Sequence, residues 1–198
     1  MTKYIYFTVA LLISFTAQAQ TTNTETIVCI RHGEKPTGGL GQLTCQGLNR
    51  ALALPPVLLA KYGQPNYIFA PNPSQKSDNG QYNYLRPLIT IEPTAIQCGL
   101  PVNTTYGYKE IDELQTELHQ PKYQSATIFV AWEHFYLDKF AQSIIARDGG
   151  NTNAVPAWPD KDFDTIFVFK IQHVDGHSYA SLQIDHEGLN GLPTDCPK

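Results

Sequence analysis

Four absences narrow the field before any motif is read. Past the first nineteen residues no apolar run approaches the ~20 residues that a bilayer-crossing helix needs, which argues against a membrane-embedded body. No zinc-type spacing joins Cys29, Cys45, Cys98 and Cys196, so a structural zinc site is not expected. Positive charge is scarce: 14 Lys and Arg stand against 18 Asp and Glu, a net charge of −4. That balance excludes nucleic acid as a partner and leaves any anionic ligand to a few local cations. No repeat, low-complexity tract or linker-like stretch interrupts the 198 residues, a length that suits one domain with a substantial core.

What is present begins with a leader. Lys3 supplies a positive start, Ile5 to Phe15 is almost wholly apolar, and Ala17-Gln18-Ala19 has the small-x-small form of a signal-peptidase site. Residues 1–19 are therefore expected to be a signal peptide and residues 20–198 the mature protein, periplasmic or secreted. No cysteine follows the cleavage site to carry a lipid. Loss of Lys3 leaves 13 basic side chains against 18 acidic ones, a net charge of −5. All four cysteines lie in the mature part, where oxidising conditions favour one or two disulfides. Cys196 is an expected member because it ends an otherwise untethered tail, whereas Cys29, inside an apolar run, suits a buried free thiol. Four cysteines allow three pairings, which spacing does not separate.

Along the mature chain, apolar runs repeatedly stop at ionisable residues. Thr26 to Ile30 reads as a strand that ends at Arg31-His32-Gly33-Glu34, and a Gly-rich loop follows. Leu43 to Tyr62 reads as a helix with Thr44 as its cap, which Pro55-Pro56 should kink or interrupt. Tyr67 to Ala70 is a short strand, Pro71 to Asn83 a loop, and Leu85-Arg86-Pro87 a helix start with Arg86 at its mouth. Pro101 to Thr105 reads as a short extended piece and Ile111 to Leu118 as a short amphipathic helix. Thr127 to Trp132 is a buried strand ended by Glu133-His134, with a helix from about Phe135 to Ala146. Thr165 to Gln172 and Ser178 to Asp185 form a hairpin across Asp175-Gly176. Strand and helix alternation closed by a hairpin predicts an α/β fold: a three-layer α/β/α sandwich with a mostly parallel sheet and a C-terminal antiparallel hairpin.

Three strand ends thus deliver Arg31 with His32, Arg86, and Glu133 with His134 to one edge of the sheet, where α/β proteins collect their reactive groups. Such a set suits phosphate. Two guanidiniums match phosphoryl oxygens in fork geometry, an imidazolium adds charge, and a neutral imidazole can attack phosphorus. These cations make a metal or other cofactor unnecessary, and none is expected. His173, His177 and His186 fall on the hairpin and its flank without the acidic residues a metal set requires. Tyr82, Tyr84, Tyr106, Tyr108 and Trp132 are read as mostly buried aromatics with a polar edge.

Ile30-Arg31-His32-Gly33-Glu34 resembles the opening motif of the histidine phosphatase superfamily, also called phosphoglycerate-mutase-like. Arg86 in Tyr84-Leu85-Arg86-Pro87-Leu88 resembles its second arginine and His134 its second histidine, in the family's order from Thr26 to Asp185. The resemblance implies that His32 is a nucleophile that becomes phosphorylated and that Arg31, Arg86 and His134 form the phosphate pocket. Lys35-Pro36 replaces the Arg-x-Pro of the larger branch, Phe135 replaces the aspartate after its second histidine, and the mutase elements are missing. The match is to a small-branch phosphatase.

The expected function is hydrolysis of phosphomonoesters, small or envelope-borne, with no obligate protein partner. The rival is a catalytically silent protein that holds a phosphorylated ligand in the same pocket. His32 is expected to face solvent at the strand edge. For the proton donor the candidates are Glu133, whose partial burial beside His134 should raise its pKa, and then Glu110.

Overall fold

The computed structural model describes residues 23–77 and 80–198; the expected signal peptide, 1–19, lies outside them. Strand β1 (Asn23–Arg31) leads into helix α1 (Cys45–Tyr62), β2 (Tyr67–Phe69), α2 (Arg86–Cys98), β3 (Val102–Asn103), α3 (Ile111–Leu118), β4 (Thr127–Trp132), α4 (His134–Arg147) and the β5 (Thr165–Val174) and β6 (His177–His186) hairpin. One sheet runs in the order β3-β2-β4-β1-β5-β6. The pairs β2 with β3, β2 with β4 and β1 with β4 are parallel, while β5 runs antiparallel to both β1 and β6. The mostly parallel sheet with a closing hairpin is the architecture that the alternation implied.

Strand alternation divides the core into two layers. Val28, Ile30, Phe129 and Ala131 face Leu54 and Leu58 of α1 and Ile91 and Ala95 of α2. Ile27, Cys29, Val130 and Trp132 face Leu114 of α3 and Leu137, Phe140 and Ile144 of α4. The hairpin turn places Asp175 at φ 50° and Gly176 at φ 79°, the two left-handed residues that a two-residue turn of type I′ requires.

The expected interruption of α1 by its two prolines does not occur. Pro55 and Pro56 lie inside it without ending it, although each lacks the N–H of a helical ladder. Ala51, Leu54, Pro55 and Leu58 are all buried on its inner face, so packing against the sheet and α2 sustains the helix across the missing donors. Thr44 caps its start, as expected, by accepting from the Gly47 N–H at 3.1 Å. A disulfide joins Cys45 in its first turn to Cys196. Gln46 Nε2 and Asn49 Nδ2 also donate to carbonyls of Leu192, Pro193 and Asp195, so the tail is fastened along α1. Cys29 is buried and free.

Candidate active site

The parallel register of β1 and β4 pairs Arg31 with Trp132, and His32 N–H donates to the Trp132 carbonyl at 3.0 Å. Arg31-His32 and Glu133-His134 therefore leave the sheet side by side. Arg86 arrives on the first turn of α2, and Thr90, one turn on, locks that turn to the loop. Its Oγ1 accepts from the Gly33 N–H at 2.9 Å and donates to the Arg86 carbonyl at 2.8 Å. A Cβ on Gly33 would lie 2.9 Å from the Gly47 carbonyl oxygen, so glycine is what allows the loop after the strand to rest on α1. Arg86, Lys35 and the 36–39 loop line a cavity of about 360 Å³.

His32 is the surprise of the site: it is 0% exposed, not solvent-facing. Tyr84 approaches its ring edge-on and Phe163 lies tilted against it, both with centroids 6.2 Å away. Nδ1 lies 2.8 Å from the Gly33 carbonyl, which can only accept, so Nδ1 carries the proton and Nε2 the lone pair. Nε2 is buried without a partner. Burial first, then the Arg86 guanidinium, hold the His32 pKa well below the ordinary histidine value, against the opposing pull of the Gly33 carbonyl. The ring is neutral at physiological pH, with its basic nitrogen unoccupied.

Arg31 is equally enclosed. Nη1 donates to the carbonyls of Pro159, Asp160 and Asp162 at 3.4, 2.7 and 2.8 Å, and the guanidinium lies 4.1 Å from the Phe163 ring centroid. Its Nε and the Nε of Arg86 are buried without partners. Arg86 stacks 4.4 Å from the Tyr84 ring centroid.

Glu133 departs from expectation. Trp132 is the last strand residue and Glu133 the N-cap of α4, so strand alternation ends before it and the carboxylate can turn to its neighbour. Its Oε2 accepts from the Tyr136 N–H at 3.2 Å, and Oε1 lies 2.6 Å from His134 Nδ1, an ion-pair contact. Burial pushes the Glu133 pKa up, but the His134 imidazolium and the helix N–H groups outweigh it, so the pKa is lowered rather than raised. Burial likewise lowers the His134 pKa, and Glu133 together with Asp160 more than reverses that, leaving it raised. The pair is a carboxylate and an imidazolium. Glu110, the other candidate donor, has both oxygens engaged: Gln75 Nε2 donates to one at 3.2 Å and Gly107 N–H to the other at 2.8 Å.

Three contributors carried no sequence signal that was read. Asp160 Oδ1 lies 2.8 Å from His134 Nε2, and Phe163 from the same irregular segment packs on His32 and Arg31. Arg50, 1% exposed on the inner face of α1, holds Glu34 through Nε and Nη2 and meets Glu187 at 2.5 Å. It braces the loop that carries His32 against the C-terminal tail. A helical arginine three residues after Gly47 on an otherwise apolar face was the available clue to it.

No family model matches the chain and no curated protein matches it in sequence, but solved structures do match. A protein from Nakamurella multipartitia described as a SixA phosphohistidine phosphatase aligns over 85% of this chain and 98% of its own, at a TM-score of 0.58 and 15% identity. A mycobacterial glucosyl-3-phosphoglycerate phosphatase aligns over 81% and 97%, at 0.57 and 13%. A phosphoglycerate mutase from Plasmodium falciparum aligns over 89% and 98%, at 0.56 and 13%. The fold is that of the histidine phosphatases. At these identities the likeness establishes architecture, and the chemistry must be argued from the residues themselves.

Proposed function

We propose that this protein is an exported phosphatase that hydrolyses phosphomonoesters through a phosphohistidine on His32. The observation that carries the reading is a convergence of unpaired nitrogens: His32 Nε2, Arg31 Nε and Arg86 Nε are all buried without hydrogen-bond partners. Leaving such atoms unmatched costs about 1–3 kcal/mol each. A phosphoryl group supplies what all three lack. The guanidiniums donate to its equatorial oxygens, His134 contributes an imidazolium charge, and the neutral Nε2 is free to form a bond to phosphorus.

The reaction runs in two displacements. Nε2 attacks phosphorus as the ester P–O bond breaks, and water then breaks the P–N bond to release inorganic phosphate. Glu133 acts by charging and orienting His134. The fold shared with enzymes named for phosphate esters supports this reading, as do the apolar leader and the Cys45–Cys196 disulfide for export. Among the described residues no helix is long and apolar enough to cross a membrane.

The test is turnover of p-nitrophenyl phosphate by the purified full chain and by His32→Ala. Hydrolysis by the first and none by the second supports the enzyme. Binding of phosphate without hydrolysis by the wild type indicates the silent binder.

A further inference from the structure

A leaving alkoxide needs a proton, and the carboxylates around the site differ in whether they have an oxygen to spare. Glu34 has both engaged by Arg50, and Glu110 by Gln75 and Gly107. Glu133 has both engaged by His134 and the Tyr136 N–H, and Asp162 by Asp164, Thr165 N–H and Thr165 Oγ1. Asp160 is different. One oxygen takes the His134 Nε2 hydrogen at 2.8 Å, its side chain is 92% exposed, and the second oxygen has no donor among the described residues. Its backbone is fixed as well, because the Asp160 carbonyl accepts from Arg31 Nη1 at 2.7 Å.

From this oxygen accounting and placement we propose that Asp160 is the proton donor to the leaving group and then the base that activates the hydrolytic water. The inference rests on the phosphatase reading above. Phosphoryl transfer is roughly in line, so the leaving oxygen departs on the side opposite the attacking nitrogen. His32 lies at the buried floor, which puts the leaving oxygen on the solvent side. Asp160 stands on that side, touching His134 and Arg31, the groups that hold the phosphoryl oxygens. In the first step the protonated carboxyl gives its hydrogen to the ester oxygen while the Nε2–P bond forms and the P–O bond breaks. In the second, the resulting carboxylate takes a proton from water as water's oxygen bonds to phosphorus and the P–N bond breaks. Asp160 is thereby reprotonated.

The groups that face Asp160 set its working range. His134 of α4 comes first, with Arg31 of β1 and Lys35 of the following loop behind it. All three are cationic, they hold its pKa below the ordinary aspartate range, and Glu133 lies behind His134. A bound phosphate pushes the other way. Turnover of poor leaving groups should therefore be greatest in acid and fall as pH rises.

The test compares glycerol phosphate, whose alkoxide requires a proton, with p-nitrophenyl phosphate, whose phenolate does not, in wild type, Asp160→Asn, Asp160→Glu and Glu133→Gln. Far-UV circular dichroism checks that each variant is folded. Asp160→Asn is expected to lower kcat about 100-fold or more on glycerol phosphate and less than about 10-fold on the aryl ester, and to abolish the acid dependence of the former. Asp160→Glu should recover part of the loss. Glu133→Gln should slow both substrates alike. Equal losses on both esters in Asp160→Asn, or no loss on either, overturn the assignment while leaving a His32-dependent phosphatase intact. A wild type inactive on both esters overturns the phosphatase reading and this inference together.

Discussion

Two histidine–glutamate pairs sit at opposite ends of the sheet, and they hold opposite charges. At the site, His134 and Glu133 form an ion pair, the imidazole pKa raised and the carboxyl pKa lowered. At the far end, His173 Nε2 lies 3.2 Å from Glu25 Oε2. There burial dominates: the Glu25 pKa is pushed up to about 8 and that of His173 is lowered, so the pair is neutral. Composition does not separate the two. Glu133 is a helix cap with N–H donors and an Arg31 guanidinium nearby, whereas Glu25, 2% exposed, keeps one oxygen without any partner. A carboxylate stays charged when oriented donors replace the water it has lost. The site pair is thus suited to gripping an anion, and the far pair to packing.

The sharpest contrast should come from the proposed nucleophile. His32→Ala is expected to lower turnover of p-nitrophenyl phosphate by at least about 1000-fold, while His173→Ala changes kcat less than about twofold. Steady-state kinetics on both variants checks this. Comparable losses would erase the functional distinction between the two ends.

Next in size is the covalent bracing, which belongs to the site end alone. Replacing both Cys45 and Cys196 by Ser should cost about 2–4 kcal/mol, read as a lower urea midpoint, with KM for p-nitrophenyl phosphate little changed. A marked rise in KM would show that the tail shapes the pocket as well as stabilising α1.

Glu133→Gln should move the alkaline limb of kcat/KM to lower pH. The raised His134 pKa keeps its charge present to higher pH than an ordinary histidine and loses it as pH rises through the raised value. Without the carboxylate, that loss comes earlier. A limb that stays in place would assign it to another group.

The smallest effect is expected at Glu25, where the sign reverses. A carboxyl that keeps its proton up to pH 8 in the fold but releases it near pH 4.5 when unfolded makes stability fall between those values and level off above them. Glu25→Gln should remove that decline, so that the variant gains stability over wild type at pH 8 relative to pH 4.5. Urea unfolding at the two pH values measures it.

The legible parts of the molecule were those written in short, local patterns. Apolar runs ending at Arg31 and Trp132 announced the two central strands, Thr44 announced the cap of α1, and Asp175-Gly176 announced the hairpin turn. These depend on neighbours within a few residues. The burial of His32 depends instead on Tyr84 and Phe163, about 50 and 130 residues away, and strand periodicity is silent about them. The charge of Glu133 likewise turned on whether β4 ended one residue earlier. Asp160 was hidden more completely, in an irregular segment without periodicity, where one aspartate reads like any other until the fold sets it beside His134.

The central claim is that His32 carries phosphate during turnover. Intact-mass analysis and peptide mapping of wild type and His32→Ala, quenched under alkaline conditions during hydrolysis of a phosphomonoester, test it most directly. The account predicts an acid-labile phosphoryl group on His32 of the wild type and none on the variant. Steady turnover with no phosphoryl enzyme, or a phosphoryl group found on His134, would contradict it.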